Sequence, residues 1–229
     1  MLYKYAGLIG ITFFLLIWVI LFFYKKNLRK EMLIMSILAA PLGPLSEIFY
    51  LKDYWSTSHL FLFSIFGIGI SDILFAFFIG GIASVIYESF FVKKNRKTKK
   101  ESLFFVGILG AIGVMGMIVF NLVLKFNSIY VSSIFFIVIG IIILVKRRDL
   151  LRNALFSGLL MAIIMLLFYL IYTHIFPNII NDSWKLENIS GFFLIGVPIE
   201  ELIWGFSWGF LCGPFYEFLR GEKEPNKKN

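Results

Sequence analysis

The segment GVPIEELIWGFSWGFLCGPFYEF, residues 196–218, places two adjacent carboxyl groups at the start of an apolar run. Glu200 and Glu201 are followed at helical spacing by Trp204 and Trp208. Ionisable side chains are costly inside a bilayer, so they are rare in membrane segments and usually have a function. The segment therefore predicts a membrane helix with a chemical role at its beginning.

The composition of the whole chain indicates the class of protein. The 229 residues are 59% hydrophobic, and several apolar runs are long enough to cross a hydrocarbon core of about 30 Å. We predict an all-α polytopic protein of the cell membrane, with the lipid bilayer as a partner. The net charge of +8 comes from basic residues between the apolar runs, where they orient helices, so no nucleic acid is expected. The single cysteine excludes an intrachain disulfide, and neither a metal nor a cofactor is expected.

Seven transmembrane helices are predicted from the apolar runs. The first is expected to remain in the protein, because no small-residue cleavage site follows it. Pro41 and Pro44 should interrupt the second helix. The predicted spans are residues 5–24, 33–51, part of 60–92, 102–124, 129–145, 154–176 and part of 190–219.

The third and seventh regions are too long for one straight span. Glycine or proline within each region predicts a break, so we expect a short apolar lead-in followed by a spanning helix. The break points are Gly67 and Gly69 in the third region, and Gly196 and Pro198 in the seventh.

The loops alternate between basic and nearly neutral composition. The basic loops are KKNLRK, KKNRKTKK and KRRDLLR, and the chain also has a basic C-terminal tail. They follow the first, third, fifth and seventh predicted helices. By the positive-inside rule the N-terminus lies outside and the C-terminus inside.

The third and seventh regions also match each other at an offset of 129 residues without a gap. Such a match predicts a parallel 3+1+3 repeat, with residues 1–100 as the first three-helix repeat, 101–126 as a linker helix and 127–229 as the second repeat and tail. The paired residues are Trp55 with Trp184, Asp72 with Glu201 (201 − 72 = 129), Tyr87 with Tyr216, and Glu88 with Glu217.

The predicted topology places several polar side chains at similar depth in the outer half of the membrane. These are Glu47, Asp72, Asn121, His174, Glu200 and Glu201. Glu88 and Glu217 fall at the inner ends instead, where ion pairs with Lys93 and Arg220 are expected. A simpler interpretation remains open, because acidic residues in the first turn also stabilise helix starts.

A functional interpretation joins the acids to the aromatic residues. Glu201, Trp204 and Trp208 are three and seven residues apart, so they share one face of a helix. A carboxylic acid in an apolar site can keep its proton and act as a general acid. Aromatic faces beside it would stabilise a carbocation. These parts suit the acid-initiated cyclisation of a lipophilic olefin, which requires no redox cofactor.

The residues Pro198, Glu200 and Glu201, followed by Trp204, resemble the membrane lycopene cyclase family. That family occurs as separate three-helix subunits or as a fused chain, and the 3+1+3 pattern resembles the fused form. The resemblance implies a lycopene β-cyclase-like isomerase, an intramolecular lyase, that acts on a carotenoid. The acyclic end of lycopene would be protonated, closed to a ring and deprotonated.

The first half departs from this motif. Residues 69–72 read Gly-Ile-Ser-Asp, so the proline and one acid are missing. Glu47, on the proline-interrupted helix, is a hypothetical source of the missing carboxylate. The predicted catalytic residues are therefore Glu200, Glu201, Asp72 and Glu47, and the predicted substrate-binding residues are Trp204, Trp208, Phe75, His174 and Asn121.

Two other functions remain open at this point. One is a cyclase-derived protein that binds or assembles isoprenoids without catalysis. The other is a small-solute transporter built from parallel three-helix repeats. A rhodopsin is disfavoured, because residues 197–219 contain no lysine for a Schiff base, and a Glu-Glu-x-x-x-Arg protease is disfavoured, because Gly205 stands at the arginine position.

Overall fold

The structure is a computed structural model, and it describes residues 6–56, 64–65, 68–91, 96–97 and 101–223. Helices dominate these residues. The α-helices of the described part are α1 Ala6–Tyr24, α2 Arg29–Ala39, α3 Leu42–Asp53, α4 Ile70–Phe90, α5 Leu103–Gly116, α6 Ser128–Lys146, α7 Leu151–Ile175, α8 Ile179–Ser183 and α9 Ile199–Arg220. The strands are β1 Ser64–Ile65, β2 Ile68–Gly69, β3 Arg96–Lys97, β4 Phe193–Leu194, β5 Val197–Pro198 and β6 Glu222–Lys223, and each belongs to an antiparallel pair, β1–β2, β3–β6 or β4–β5.

Five described helical segments are long and apolar enough to cross a membrane. They are α1, α4, α5 with its continuation to Val123, α6, and α7 with the turn before it. The pair α2–α3, taken as one bent span, gives a sixth. The remaining long helix, α9, has 22 residues but carries three glutamates and an arginine, which lower its hydropathy.

The second predicted span is interrupted as expected. Helix α2 ends at Ala39, α3 begins at Leu42, and their axes differ by 44°. Pro41 lies at the break and Pro44 in the first turn of α3, where a missing N–H costs no helical hydrogen bond. The fourth predicted span is not α-helical throughout, because α5 ends at Gly116 and continues as a π-helix over Met117–Val123.

The described parts of the predicted lead-ins are short antiparallel strand pairs directly before α4 and α9, and the predicted break point Gly67 lies outside the described residues. Ile195 and Gly196 form the turn between β4 and β5, with φ of 53° and 80°. A two-residue turn with both φ values positive matches the twist of a hairpin. We call β1, β2 and α4 the first hairpin–helix unit, and β4, β5 and α9 the second. Their helices begin at Ile70 and Ile199, which are 129 residues apart (199 − 70).

The preceding helices correspond at a smaller offset. Helices α1 and α6 both have 19 residues and begin 122 residues apart (128 − 6). The bent pair α2–α3 corresponds to the single helix α7. Helix α2 begins 122 residues before α7 begins (151 − 29), and α3 ends 122 residues before α7 ends (175 − 53). The offset rises to 129 between α7 and Trp184, in the segment that contains α8.

Corresponding positions of the two units meet in the hydrophobic core. The rings of Phe75 and Trp204 stack with centroids 6.4 Å apart, and Trp208 Nε1 donates to the Ile79 carbonyl at 3.4 Å. The members of each pair are 129 residues apart. Beyond the hairpins, Trp55 and Trp184 form an antiparallel bridge at the same offset. Helix α9 also packs closely against α7 and α6, and α4 against α2.

Candidate functional site

Glu201 lies in the first turn of α9 and is only 3% exposed. Its Oε1 accepts hydrogen bonds from the Tyr54 hydroxyl and the Trp184 indole N–H, both at 2.7 Å. The Tyr169 hydroxyl is a third hydrogen-bonding neighbour of the carboxyl group. A buried carboxyl group must be hydrogen-bonded to be tolerated. Donors from three separate segments meet this need and fix the position of the group.

Glu200, the preceding residue, is 1% exposed and has different neighbours. Its Oε1 accepts from the Tyr130 hydroxyl of α6 at 2.7 Å and from the Ser190 backbone N–H at 2.8 Å. Its Oε2 is buried and has no hydrogen-bond partner among the described residues. The adjacent carboxyl groups therefore point into separate surroundings, and one oxygen of Glu200 is available for another group.

The predicted aromatic residues form a stacked row next to Glu201. Trp204 lies parallel to Trp208, with centroids 5.9 Å apart and an interplanar angle of 1°, and it also stacks on Phe75. The ring of Phe136 contacts both indoles edge-on, at 6.3 and 5.2 Å. Such π faces attract a cation, and the attraction is stronger where water is excluded.

A buried polar chain holds Trp204. Its indole N–H donates to the Tyr50 hydroxyl at 2.8 Å. The Tyr50 hydroxyl donates to Ser132 Oγ at 2.6 Å, and Ser132 donates to the Ile129 carbonyl at 3.1 Å. Helices α3, α6 and α9 are thereby joined at the depth of the aromatic row.

The first hairpin–helix unit carries the other two predicted acids. Glu47 of α3 and Asp72 of α4 are half-buried, and their carboxyl groups are hydrogen-bonded to each other. Asp72 Oδ2 is buried without a hydrogen-bond partner in the described part of the chain. The structure thus brings Glu47 beside Asp72, where the sequence had only suggested it as a substitute for a missing acid.

Asn121 and His174 lie elsewhere. Asn121 is fully buried at the end of the π-helix, where its side-chain amide donates to the Asp53 carboxylate and to the Phe126 carbonyl. His174 is exposed on the last turn of α7. No hydrogen bond within the described ranges joins either residue to Glu200 or Glu201.

A profile of the family described as "Lycopene cyclase" matches residues 7–90 and 127–219, well over half of the chain. The chain belongs to the lycopene cyclase family. Comparison with curated proteins and with solved structures gave no match. Membership of the lycopene cyclase family implies a membrane protein of carotenoid biosynthesis with a carotenoid substrate. The matched segments contain both hairpin–helix units and leave out α5 and its π-helical continuation.

Sequence reasoning missed most of the hydrogen-bond donors in this lycopene cyclase family member. Tyr54, Tyr130 and Tyr169 occur in or beside apolar runs, where tyrosine is common and carries no specific signal. The helix bounds of the structure give the 122-residue offset that pairs Tyr169 with Glu47 (169 − 47 = 122), so this correspondence was not visible in the 129-residue match of the sequence. Trp184 belongs to the 129-residue repeat, but the repeat alone does not indicate that its indole N–H donates to Glu201.

A second group of acids lies at the other end of α4 and α9. Glu31, Glu88 and Glu217 are buried, and their carboxyl oxygens come within 4.8 Å of one another. The Asn153 amide donates to Glu88 Oε1 at 2.7 Å. Carboxylate oxygens suit a hard divalent cation, so the three glutamates could hold one. The predicted partner of Glu88, Lys93, lies outside the described residues.

Proposed function

We propose that the chain is a multi-pass protein of the cell membrane that cyclises the acyclic end of a carotenoid, or of a related isoprenoid, by acid catalysis. The reaction class is that of an isomerase, an intramolecular lyase of the lycopene β-cyclase type. The observation that carries the proposal is the pair of buried carboxyl groups, Glu200 and Glu201, on α9 of a lycopene cyclase family member.

The proposed topology has seven spans in a parallel 3+1+3 repeat, with the N-terminus outside and the C-terminus inside. Helix α9 is the seventh span, since its 22 residues extend about 33 Å at 1.5 Å per residue. The repeat is supported by the offset of 122 residues between the helices that precede the two hairpins, by the offset of 129 residues between α4 and α9, and by the contacts between corresponding positions of α4 and α9. The basic loops support the orientation.

The proposed reaction begins with transfer of a carboxylic acid proton to the terminal carbon–carbon double bond of the substrate. The resulting tertiary carbocation is attacked by an internal double bond, which forms the ring carbon–carbon bond and moves the positive charge onto the ring. A ring proton then leaves to a carboxylate, and a ring double bond forms. Atoms and electrons balance as an isomerisation, so the reaction requires neither a redox cofactor nor a metal.

The site residues divide into groups in this proposal. Glu201 and Glu200 carry the proton transfers, and the stacked faces of Trp204 and its neighbours stabilise the cation. Glu47 and Asp72 form a second carboxyl pair for proton transfer. His174, exposed on α7, is proposed to contact the incoming substrate. The proposed substrate-binding residues are Trp204, Trp208, Phe75 and His174, and the predicted residue Asn121 is proposed to act indirectly, through its hydrogen bond to Asp53.

The test is expression in a bacterium that accumulates lycopene, followed by chromatographic analysis of the pigments. We expect β-carotene or γ-carotene with the natural chain, and only lycopene with the double variant Glu200→Gln/Glu201→Gln. The amount of each protein in the membrane fraction provides the control. Lycopene alone, with the natural chain folded in the membrane, would overturn the proposal, and retained binding of lycopene would then favour a non-catalytic isoprenoid-binding protein.

A further inference from the structure

Two tyrosines at the end of α3 hold two functional residues of α9. The Tyr54 hydroxyl donates to Glu201 Oε1 at 2.7 Å, and the Tyr50 hydroxyl accepts from Trp204 Nε1 at 2.8 Å. Both tyrosines are buried. They are four residues apart, and Glu201 and Trp204 are three apart, so successive turns of α3 meet successive turns of α9.

We propose that Tyr50 and Tyr54, the tyrosine clamp, are positioning residues of the cyclisation site. Tyr54 holds the carboxyl group of Glu201 where the proton is transferred. Tyr50 holds the indole of Trp204 in its stacked position between Trp208 and Phe75, so that the aromatic row keeps its orientation toward the carbocation. This inference rests on the proposed function, and it gives the segment before the first hairpin–helix unit a role in the chemistry of the second.

The hydrogen bonds of Tyr50 leave its hydroxyl little freedom. The hydroxyl accepts from the Trp204 indole and donates to Ser132 Oγ at 2.6 Å. An indole N–H can only donate, so its acceptor determines how the ring is turned. A phenylalanine at position 50 would keep the ring packing but would remove the acceptor.

The end of α3 is anchored independently of α2. The break at Pro41 separates the directions of the two helices by 44°. At the far end, the Asp53 carboxylate accepts from Ser128 Oγ at 2.6 Å and from the Asn121 amide. Since Tyr54 directly follows Asp53, this anchor fixes the tyrosine clamp, and it gives the predicted site residue Asn121 an indirect role.

Tyr172 provides a matched control. It occupies the position of α7 that corresponds to Tyr50 (172 − 50 = 122), and it is equally buried. Its ring packs against the rings of Phe168 and Phe176, at 4.9 and 5.3 Å. Among the described residues its hydroxyl makes no hydrogen bond to Glu201 or Trp204. Tyr172→Phe therefore removes a buried tyrosine hydroxyl at a corresponding position and leaves the hydrogen bonds to Glu201 Oε1 and Trp204 Nε1 in place.

The decisive experiment is a double-mutant cycle on the product ratio. Tyr50→Phe, Trp204→Phe and the double variant are expressed with lycopene, and the ratio of β-ring products to other cyclised isomers is measured. We expect Tyr50→Phe to change this ratio about threefold to tenfold, which matches the size of a cation–π interaction. In the Trp204→Phe background Tyr50→Phe should have no further effect, because that ring has no N–H to hold.

The second arm concerns Tyr54. In proteoliposomes with lycopene we expect Tyr54→Phe to lower kcat on the order of tenfold to a hundredfold with KM unchanged, as for a misplaced reacting group. Tyr172→Phe should change neither kcat nor the product ratio. Ser132→Ala, which keeps the Tyr50 hydroxyl, should move the product ratio in the direction of Tyr50→Phe by a smaller factor.

The possible failures are distinct. If the natural chain forms no cyclic product, the proposed function falls and the tyrosine clamp with it. If it cyclises lycopene but the effects of Tyr50→Phe and Trp204→Phe simply multiply, or the product ratio stays constant while the yield drops, only the positioning role is overturned. Thermal stability of each purified variant separates loss of fold from loss of position.

Discussion

The two hairpin–helix units have the same backbone frame but different surroundings for their acids. In both, a two-stranded hairpin leads directly into a helix whose first turn contains a carboxyl group, Asp72 or Glu201. Glu201 is buried and surrounded by neutral donors, whereas Asp72 is half-buried and bonded to a second acid, Glu47. The frame thus determines where an acid sits, and its neighbours determine what it can do.

The different surroundings of Asp72 and Glu201 come from residues outside the two hairpin–helix units. Glu47 of α3 and Tyr169 of α7 correspond at the 122-residue offset, and each contacts the acid of its own half. Trp184 donates to Glu201, whereas the ring of its counterpart Trp55 packs on Tyr50 at 5.5 Å. Small changes at corresponding positions have therefore made two different sites from one arrangement.

The largest expected effect on activity distinguishes Glu201 from its counterpart Asp72. We expect Glu201→Gln to lower carotene formation by a factor on the order of a thousand, the size of a general acid's contribution. Asp72→Asn should lower it by about tenfold, because an indirect or secondary role is worth less. Product formed per amount of membrane protein is measured for both. Equal losses of carotene formation would show that Glu201 and Asp72 contribute equally, and would contradict the different roles inferred for the two units.

The next effect separates the two tryptophans. Trp184→Phe removes an N–H donor from a buried carboxyl group, so we expect activity to fall about tenfold or more. Trp55→Phe keeps the ring packing and should stay within about twofold. The same pigment assay measures both variants. A greater loss with Trp55→Phe would mean that the first unit, rather than the second, holds the more sensitive acid.

A third test addresses the close helix packing that both units have at corresponding glycines, Gly80 of α4 and Gly209 of α9. A Cβ at Gly80 would overlap Ala39, and one at Gly209 would overlap the Ser157 carbonyl. We expect Gly80→Ala and Gly209→Ala each to lower the free energy of unfolding by about 1–3 kcal/mol. Gly107 of α5 has no neighbour within 4 Å, so Gly107→Ala should raise it by about 0.5–1 kcal/mol. Thermal denaturation in detergent measures all three, and a destabilised Gly107→Ala variant would contradict the open space around Gly107.

The smallest effect concerns the turn of the second unit. Ile195 has a φ of 53°, which a β-branched residue adopts only at a cost. We expect Ile195→Asn to stabilise the protein by about 1 kcal/mol, because asparagine tolerates this conformation. Ile195→Ala keeps a Cβ at the same φ and serves as the control. If both raise the melting temperature equally, the exposed apolar side chain rather than the backbone is responsible.

Much of the fold could be predicted from the sequence. The bent second span followed from Pro41 and Pro44, and the breaks before α4 and α9 followed from glycine and proline. The form of the lead-ins was not predicted, and their described parts are paired strands. A short apolar run has no periodicity that distinguishes a strand from a helix, and only pairing with a neighbouring strand decides between them.

The candidate site was predictable only in part. Two adjacent glutamates in an apolar run are conspicuous in any sequence, and Trp204 and Trp208 follow from helical spacing. The donors Tyr54, Tyr130 and Tyr169 were not predictable, because each reaches the acids from a different helix. Asn121 shared a predicted depth with Glu201, yet it binds Asp53, since depth alone does not specify position around the bundle.

By itself the sequence determined the class of protein, the existence of corresponding segments and the identity of the acids, because hydropathy, residue type and spacing are properties of the chain. The tertiary structure decided which neighbours each acid has. Hydrogen bonds and ring stacking act over only a few ångströms, and they depend on how α3, α6 and α7 pack around α9. Glu200 and Glu201 are adjacent in the chain, and packing alone gives one an oxygen without a partner and the other a full set of donors.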